Sequence, residues 1–140
     1  MPAPEPDLPP VQIPEAGPAP VPVPAPAPAA RTENVAIAGL MDTARADTAA
    51  GRLANAAATL EWALRIEPRN PRLWHELARV RLKQGQYAQA ESVAARSNSW
   101  AGSDNALRAE NWRLIAEART ARGDAEGART ALDAAERIGR

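Results

Sequence analysis

Few side chains in this sequence could support catalysis or hold a metal. The chain of 140 residues has one histidine, His75, and no cysteine. Zinc sites and nucleophilic active sites draw mainly on Cys, His and carboxylates at characteristic spacings. No Ser/His/Asp set, glycine-rich phosphate loop or spaced carboxylate pair stands out. We therefore expect a protein that is not an enzyme and that uses no metal or other cofactor.

The charged residues point to binding instead. The chain has 17 basic and 17 acidic residues, but the charged side chains of the segment 1–30 are all acidic: Glu5, Asp7 and Glu15. The remainder, 31–140, therefore carries a net charge of +3. That charge is too small for a nucleic-acid-binding domain, which usually has a strong basic patch. No apolar run approaches the ~18 residues that span a membrane. We expect a protein partner, no nucleic acid, and no membrane-spanning segment.

Proline divides the chain into two parts. Twelve of the 14 prolines lie in the segment 1–30, where they alternate with alanine. Proline fixes φ and lacks the backbone N–H, so such a segment favours polyproline II over a helix. We predict a spacer, disordered or in polyproline II, over residues 1–32, and a folded domain over residues 33–140. Pro6-Asp7-Leu8-Pro9 also fits a P-x-x-P ligand, which is an unspecific pattern.

Three glycines organise the folded domain. Gly51, Gly85 and Gly123 recur at similar intervals, of which the second is slightly longer than the first. Apolar residues recur at steps of three and four on both sides of each glycine, which predicts an apolar stripe on each of two helices joined by a left-handed glycine turn. The stripes include Trp74, Trp100 and Trp112, which we therefore place in the core.

Residues that begin and end helices fall between these units. Pro68 is expected to end one helix, and Asn70-Pro71 to begin the next, with Asn70 as its cap. Asp104 and Asp124 are predicted to cap later helices. These signals and the stripes predict an all-α fold of paired helices.

The segment NPRLWHELARVRLKQGQYAQAESVAARS resembles the tetratricopeptide repeat, a helix-turn-helix unit of about 34 residues. NWRLIAEARTARGDAEGARTALDAAERI and LEWALRIEPRNP extend the resemblance over about residues 35–140. It implies three hairpins, at about 37–70, 71–104 and 109–140, stacked as a short right-handed solenoid. The sequence departs from the family pattern at the aromatic position four residues before each glycine, and four extra residues lie near Ser97–Asp104.

The resemblance also implies a concave groove lined by the first helix of each hairpin. Because most of the charged groove positions are basic, we expect the groove to favour an acidic segment, although ordinary solvated helix charges would give a similar pattern. Trp62 occupies a position that is usually polar and outward, so it is a second candidate contact unless it packs over Leu64 and Arg65. The groove candidates are Met41, Arg45, Arg72, His75, Arg79, Leu82, Lys83, Glu110, Arg113 and Glu117.

The stretch SNSWAGSDNALRAENWRLIAEARTARGD, behind a Pro/Ala-rich spacer, resembles the LpoP-type outer-membrane lipoproteins of pseudomonads and their relatives. This resemblance implies an activator of a bifunctional penicillin-binding protein of the 1b type. We expect a monomer, although the open end of the repeats could allow dimerisation. It also implies a lipid anchor on a segment absent from this sequence and a position at the periplasmic face of the outer membrane. A natural start at Met1 would instead predict a cytoplasmic protein. The alternative function is a general tetratricopeptide adaptor or chaperone for envelope, pilus, division or secretion machinery.

Overall fold

The computed structural model describes the backbone of residues 27–139 and the side chains of residues 35–139. Within these residues the chain forms helices only, which confirms the all-α prediction. The chain divides into two compact units, residues 1–36 and 37–140, and the second contains Gly51, Gly85 and Gly123. The six helices of the described part are α1 (Ala27–Ala49), α2 (Leu53–Ile66), α3 (Pro71–Lys83), α4 (Tyr87–Trp100), α5 (Asn105–Ala121) and α6 (Ala125–Gly139).

The boundary between spacer and helix differs from the prediction. Residues 1–26 of the predicted spacer lie outside the described residues. α1 begins at Ala27, so residues 27–32, which the proline-rich composition assigned to the spacer, are helical. Pro28 is accommodated because it lies in the first turn, where a backbone N–H has no partner within the helix.

The three predicted glycine turns are confirmed. Gly51, Gly85 and Gly123 have φ angles of 82°, 78° and 84°, in the left-handed region that favours glycine. They join α1 to α2, α3 to α4, and α5 to α6. The second helix of each pair therefore turns back along the first.

The predicted helix caps are also confirmed. The side chains of Asn70, Asp104 and Asp124 each accept a hydrogen bond from a backbone N–H in the following first turn, at 3.0, 3.1 and 2.9 Å. Pro71 is the first residue of α3, and α2 ends two residues before Pro68. Each cap satisfies a helix donor that would otherwise lack a partner.

Alanine and leucine form the core between the helices. Ala56, Ala63, Ala90 and Ala94 are completely buried, as expected where helix axes approach closely. One apolar cluster joins α1, α2 and α3, and a second joins α3, α4, α5 and α6. Leu60 and Leu73 are also fully buried, and burial of each such leucine stabilises the fold by about 1.5–3 kcal/mol.

The four extra residues lengthen a helix rather than a loop. α5 has 17 residues and α3 has 13. The difference places one additional turn at the start of α5, after the predicted Ser97–Asp104 position. This turn carries Leu107, which is 1% exposed and extends the buried stripe.

Ion pairs occupy the position where the repeat family has an aromatic residue. Arg81 on α3 pairs with Glu61 on α2 at 2.9 Å. Arg119 on α5 pairs with Glu91 on α4 at 2.8 Å, and Arg122 joins the same carboxylate at 2.8 Å. Charged contacts thus link successive hairpins where packing of a ring was expected.

The tryptophans are less buried than their apolar stripes predicted. Trp74 and Trp112 are partly buried against the two apolar clusters, and the indole N–H of Trp74 donates to the carbonyl of Pro68 at 2.7 Å. The core assignment of Trp100 is wrong, since this residue is 41% exposed. It is the last residue of α4, where the guanidinium of Arg69 lies 5.4 Å from the ring centroid.

Candidate partner-binding groove

The first helices of the second and third hairpins line an open groove of about 600 Å³. Because α4 runs antiparallel to both, α3 and α5 run in the same direction. The groove contains seven of the ten candidates together with Leu114 from its floor. Those seven are His75, Arg79, Leu82, Lys83, Glu110, Arg113 and Glu117.

The remaining three candidates lie elsewhere. Met41 is only 8% exposed and belongs to the core of the first apolar cluster, because it follows Ile37 by one turn on the buried stripe of α1. Its assignment to the groove surface is wrong. Arg45 and Arg72 do not line the groove, and each forms an ion pair described below.

Ion pairs within the domain reduce the positive charge that the groove offers to a partner. Arg45 and Arg79 both contact Glu76, at 3.1 and 3.5 Å. Arg72 lies 3.6 Å from Asp104. Three of the five basic candidates are therefore already matched by carboxylates, and the basic bias counted from the sequence overstates the charge that is available.

Three charged groove residues have no partner among the described residues. Lys83 on α3 and Arg113 and Glu117 on α5 make no ion pair or side-chain hydrogen bond there. Leu82 and the nearly buried Leu114 supply apolar surface between them. An arrangement of unpaired charges around an apolar floor can bind a peptide segment that brings both carboxylates and apolar side chains.

A chain of buried polar groups lies beneath one end of the groove. His75 Nδ1 is 2.7 Å from Asn111 Oδ1. The Asn111 amide donates to Ser97 Oγ at 2.7 Å and to Asn98 Oδ1 at 2.9 Å. The Ser97 hydroxyl donates to the carbonyl of Pro71 at 2.7 Å. These bonds join α3, α4 and α5, so they fix the groove walls relative to one another.

Sequence reasoning missed Asn111, Ser97 and Glu76, which hold the groove residues in place. Each of them had a usable signal in the sequence, and that of Glu76 is its position three residues before Arg79 on one helix. Ser97 stands in the register of Ala63 and Ala135, and Asn111 in that of the buried Leu73. A polar residue at a core position of a repeat requires a hydrogen-bonding partner.

Trp62 is the exposed aromatic residue that its unusual position predicted. It lies on α2, outside the groove, and is 56% exposed. The guanidinium of Arg65 is 5.8 Å from its ring centroid. A contact of this ring with a partner stays a prediction.

Two features are absent from the part of the chain that the structure describes: a cluster of metal-binding side chains and a helix that could cross a membrane. The described residues contain no group of three or more His, Cys, Asp or Glu side chains that could hold a metal ion. Within the same residues, none of the helices combines the length and the apolar character needed to cross a membrane.

Comparison with known proteins identifies the family. The profile of the tetratricopeptide repeat family matches residues 47–109. The solved structure of the globular C-terminal domain of P. aeruginosa LpoP is 46% identical, with a TM-score of 0.70, and the match covers 71% of this chain and 94% of that one. The chain belongs to the LpoP family. No curated protein sequence matches it.

Membership of the LpoP family agrees with the helical hairpins and with the groove. Tetratricopeptide hairpins are a scaffold for binding other proteins, and the LpoP domain is a non-catalytic fold of this kind. The family-profile match runs from the end of α1 into the start of α5, so it includes the α3 wall of the groove. The domain is therefore a protein-binding module of the LpoP family.

Proposed function

We propose that this protein binds and activates a peptidoglycan synthase, a bifunctional penicillin-binding protein of the 1b type. The observation that carries the proposal is the 46% identity to the LpoP domain over 94% of its length. The activity itself is what the resemblance to LpoP-type lipoproteins implies. Binding would favour an active conformation of the synthase and so promote glycan polymerisation and crosslinking.

We further propose that the protein acts at the periplasmic face of the outer membrane. A lipid on a segment upstream of this sequence would anchor it there, and the Pro/Ala-rich residues would carry the helical domain towards the synthase. Supporting this arrangement, the 26 residues that precede α1 would reach roughly 80 Å as polyproline II, at ~3.1 Å per residue. Metabolic labelling of the native protein with palmitate tests the anchor, and a native protein that takes up no lipid would contradict it.

The groove between α3 and α5 is the surface that we propose for the synthase. Lys83 and Arg113 are the basic groups best placed to meet its carboxylates, because neither forms an ion pair with an acidic residue of the described chain. Arg79 is a poorer probe, since its charge also holds Glu76 in place. Changing Lys83 or Arg113 therefore alters recognition with little effect on packing.

The test measures glycan polymerisation by the purified synthase with and without the 140-residue chain. We expect the chain to raise the rate of polymerisation. Lys83→Glu and Arg113→Glu should each weaken the affinity of the chain for the synthase about tenfold, mainly by slowing association. Arg129→Glu is the matched control, because Arg129 is exposed on α6 outside the groove. An unchanged rate at saturating chain would contradict the proposed function and favour the adaptor alternative.

A further inference from the structure

The buried hydrogen bonds beneath the groove determine which nitrogen of His75 carries a proton. The carbonyl of Pro71 can only accept a hydrogen bond. Ser97 Oγ lies 2.7 Å from it and must use its single proton in that bond. The Ser97 oxygen can then only accept from Asn111, so the Asn111 atom 2.7 Å away is the amide nitrogen.

The orientation of Asn111 fixes the ring of His75 in turn. With its amide nitrogen directed to Ser97, Asn111 turns its carbonyl oxygen to His75 Nδ1, at 2.7 Å. A carbonyl oxygen accepts, so Nδ1 must donate. In the uncharged imidazole the other nitrogen, Nε2, therefore carries a lone pair and no proton.

This Nε2 lone pair opens into the groove beside a second acceptor. Nε2 lies 3.7 Å from Glu110 Oε1, and the His75 and Glu110 side chains are 10% and 52% exposed. Neither atom can donate to the other while the ring is uncharged. Both line the groove, and Glu110 has no other charged partner among the described residues.

We propose that His75 Nε2 and Glu110 together form a site for an arginine side chain of the partner. The site rests on the proposed function, because the partner segment that fills the groove supplies the arginine. A guanidinium has five N–H donors in a planar fork and no acceptor, so one side chain satisfies both the lone pair and the carboxylate. The charge of Glu110 favours this cation over a neutral donor.

The site gives the groove a direction. One turn beyond His75 and Glu110, the parallel helices α3 and α5 place Arg79 and Arg113 on the groove walls, and Lys83 follows after another turn of α3. Glu76 already pairs with Arg79, so Arg113 and Lys83 are the two cations without an ion pair at this end, against one carboxylate without an ion pair, that of Glu117. A segment bound here has its arginine at the His75 end and its carboxylates towards the Lys83 end.

The single histidine makes the proton assignment directly measurable. Long-range ¹⁵N NMR spectra of the 140-residue chain contain one imidazole, that of His75. When the ring is uncharged, we expect Nδ1 to be protonated and Nε2 to carry no proton. A spectrum with the proton on Nε2 would overturn the proposal.

Binding is tested with N-acetyl-arginine amide as the probe and N-acetyl-glutamate amide as its counterpart. We expect the arginine compound to shift the Nε2 resonance in a saturable way and the glutamate compound to leave it in place. Glu110→Gln should weaken the arginine response about threefold to fivefold. Glu126→Gln changes an exposed glutamate on a different helix, α6, and should not alter the response to the arginine compound. Equal responses to the two compounds, or no effect of Glu110→Gln, would overturn the site.

These measurements separate the arginine site from the proposed function. If the chain fails to stimulate the synthase while the arginine compound still shifts Nε2, the function is wrong and the site stands. If stimulation is normal but Nε2 does not respond, the site is wrong and the function stands. Thermal unfolding of Glu110→Gln provides the folding check, because its half-exposed side chain contributes little to packing.

Discussion

His75 on α3 and Asn111 on α5 are joined by a hydrogen bond of 2.7 Å that links the first helices of two successive hairpins. Asn111 is fully buried and His75 is 8% exposed. The apolar contacts around them are non-directional, whereas a hydrogen bond requires a defined distance and angle. The pair therefore fixes the register between α3 and α5, and with it the positions of the charged residues on both walls of the groove.

Replacing Asn111 by leucine tests the contribution of this bond to stability. Asn111→Leu leaves His75 Nδ1 without its acceptor and the Ser97 oxygen without the amide that donates to it, while Ser97 keeps its own bond to the Pro71 carbonyl. Because unsatisfied polar groups in a protein interior are costly, we expect the free energy of unfolding to fall by about 2–4 kcal/mol. Urea denaturation followed by circular dichroism measures the loss.

A triple variant provides the control for this prediction. Asn111→Leu combined with Ser97→Ala and His75→Leu removes both buried side chains that the single change strands. Asn98 Oδ1 and the Pro71 carbonyl lose a donor in the triple variant, but both belong to partly exposed residues. We expect the triple variant to recover at least half of the lost free energy, since replacing all partners of a buried network by apolar groups can be nearly neutral. A triple variant no more stable than Asn111→Leu would show that packing, not the stranded groups, causes the loss.

The hairpins of this fold were predictable because their signals are local. A left-handed turn at Gly85 depends only on nearby residues, and a cap such as Asn70 needs only the next turn of chain. Spacing before each glycine also placed seven groove residues together, because register repeats from one hairpin to the next. The repeat pattern therefore made it possible to predict which residues of different hairpins lie on the same surface.

Pairing between side chains of different helices was beyond the reach of such spacing. Arg79 and Glu76 are three residues apart on α3, so spacing alone indicates that they pair. Arg45 is 31 residues from Glu76, on α1, and its contact with the same carboxylate is not visible in the spacing. Met41 is as far from its glycine as the groove residue His75 is from Gly85, yet its side chain is buried with the apolar stripe of α1. These outcomes depend on how α1 and α3 pack, which no single repeat specifies.

Two glycine-to-alanine changes are expected to have opposite effects on stability. Gly51 has a φ of 82°, so Gly51→Ala forces a side chain into the left-handed region and should cost about 1–2 kcal/mol. Gly39 lies inside α1 with no atom within 4 Å of an added Cβ. Gly39→Ala should therefore stabilise the protein by about 0.5–1 kcal/mol. Thermal unfolding of both variants measures the difference, and a shift in the same direction for both would contradict this account.

The carboxylate of Glu91 links α4 to α5 through two arginines, each at 2.8 Å. We expect Glu91→Gln to lower the free energy of unfolding by about 1 kcal/mol, as for a partly exposed ion-pair network. High salt should reduce the difference from the unchanged protein, because it screens exposed charges. Denaturation at low and high salt tests this, with Glu126→Gln as the control. A loss that is the same at both salt concentrations would argue against an electrostatic contribution.

Trp62 allows the binding contribution of an exposed ring to be separated from its structural one. Because the side chain is 56% exposed, Trp62→Ala should change the free energy of unfolding by less than about 0.5 kcal/mol. If the ring contacts the synthase, the same change should weaken binding by about 1–2 kcal/mol, since aromatic residues dominate many interfaces.

Calorimetric titration of the synthase with the 140-residue chain measures the affinity. Leu132→Ala is the matched control, as Leu132 is an apolar residue on α6 that is 50% exposed. Equal affinities for the two variants would remove Trp62 from the contact surface and leave the α3–α5 groove as the site to map.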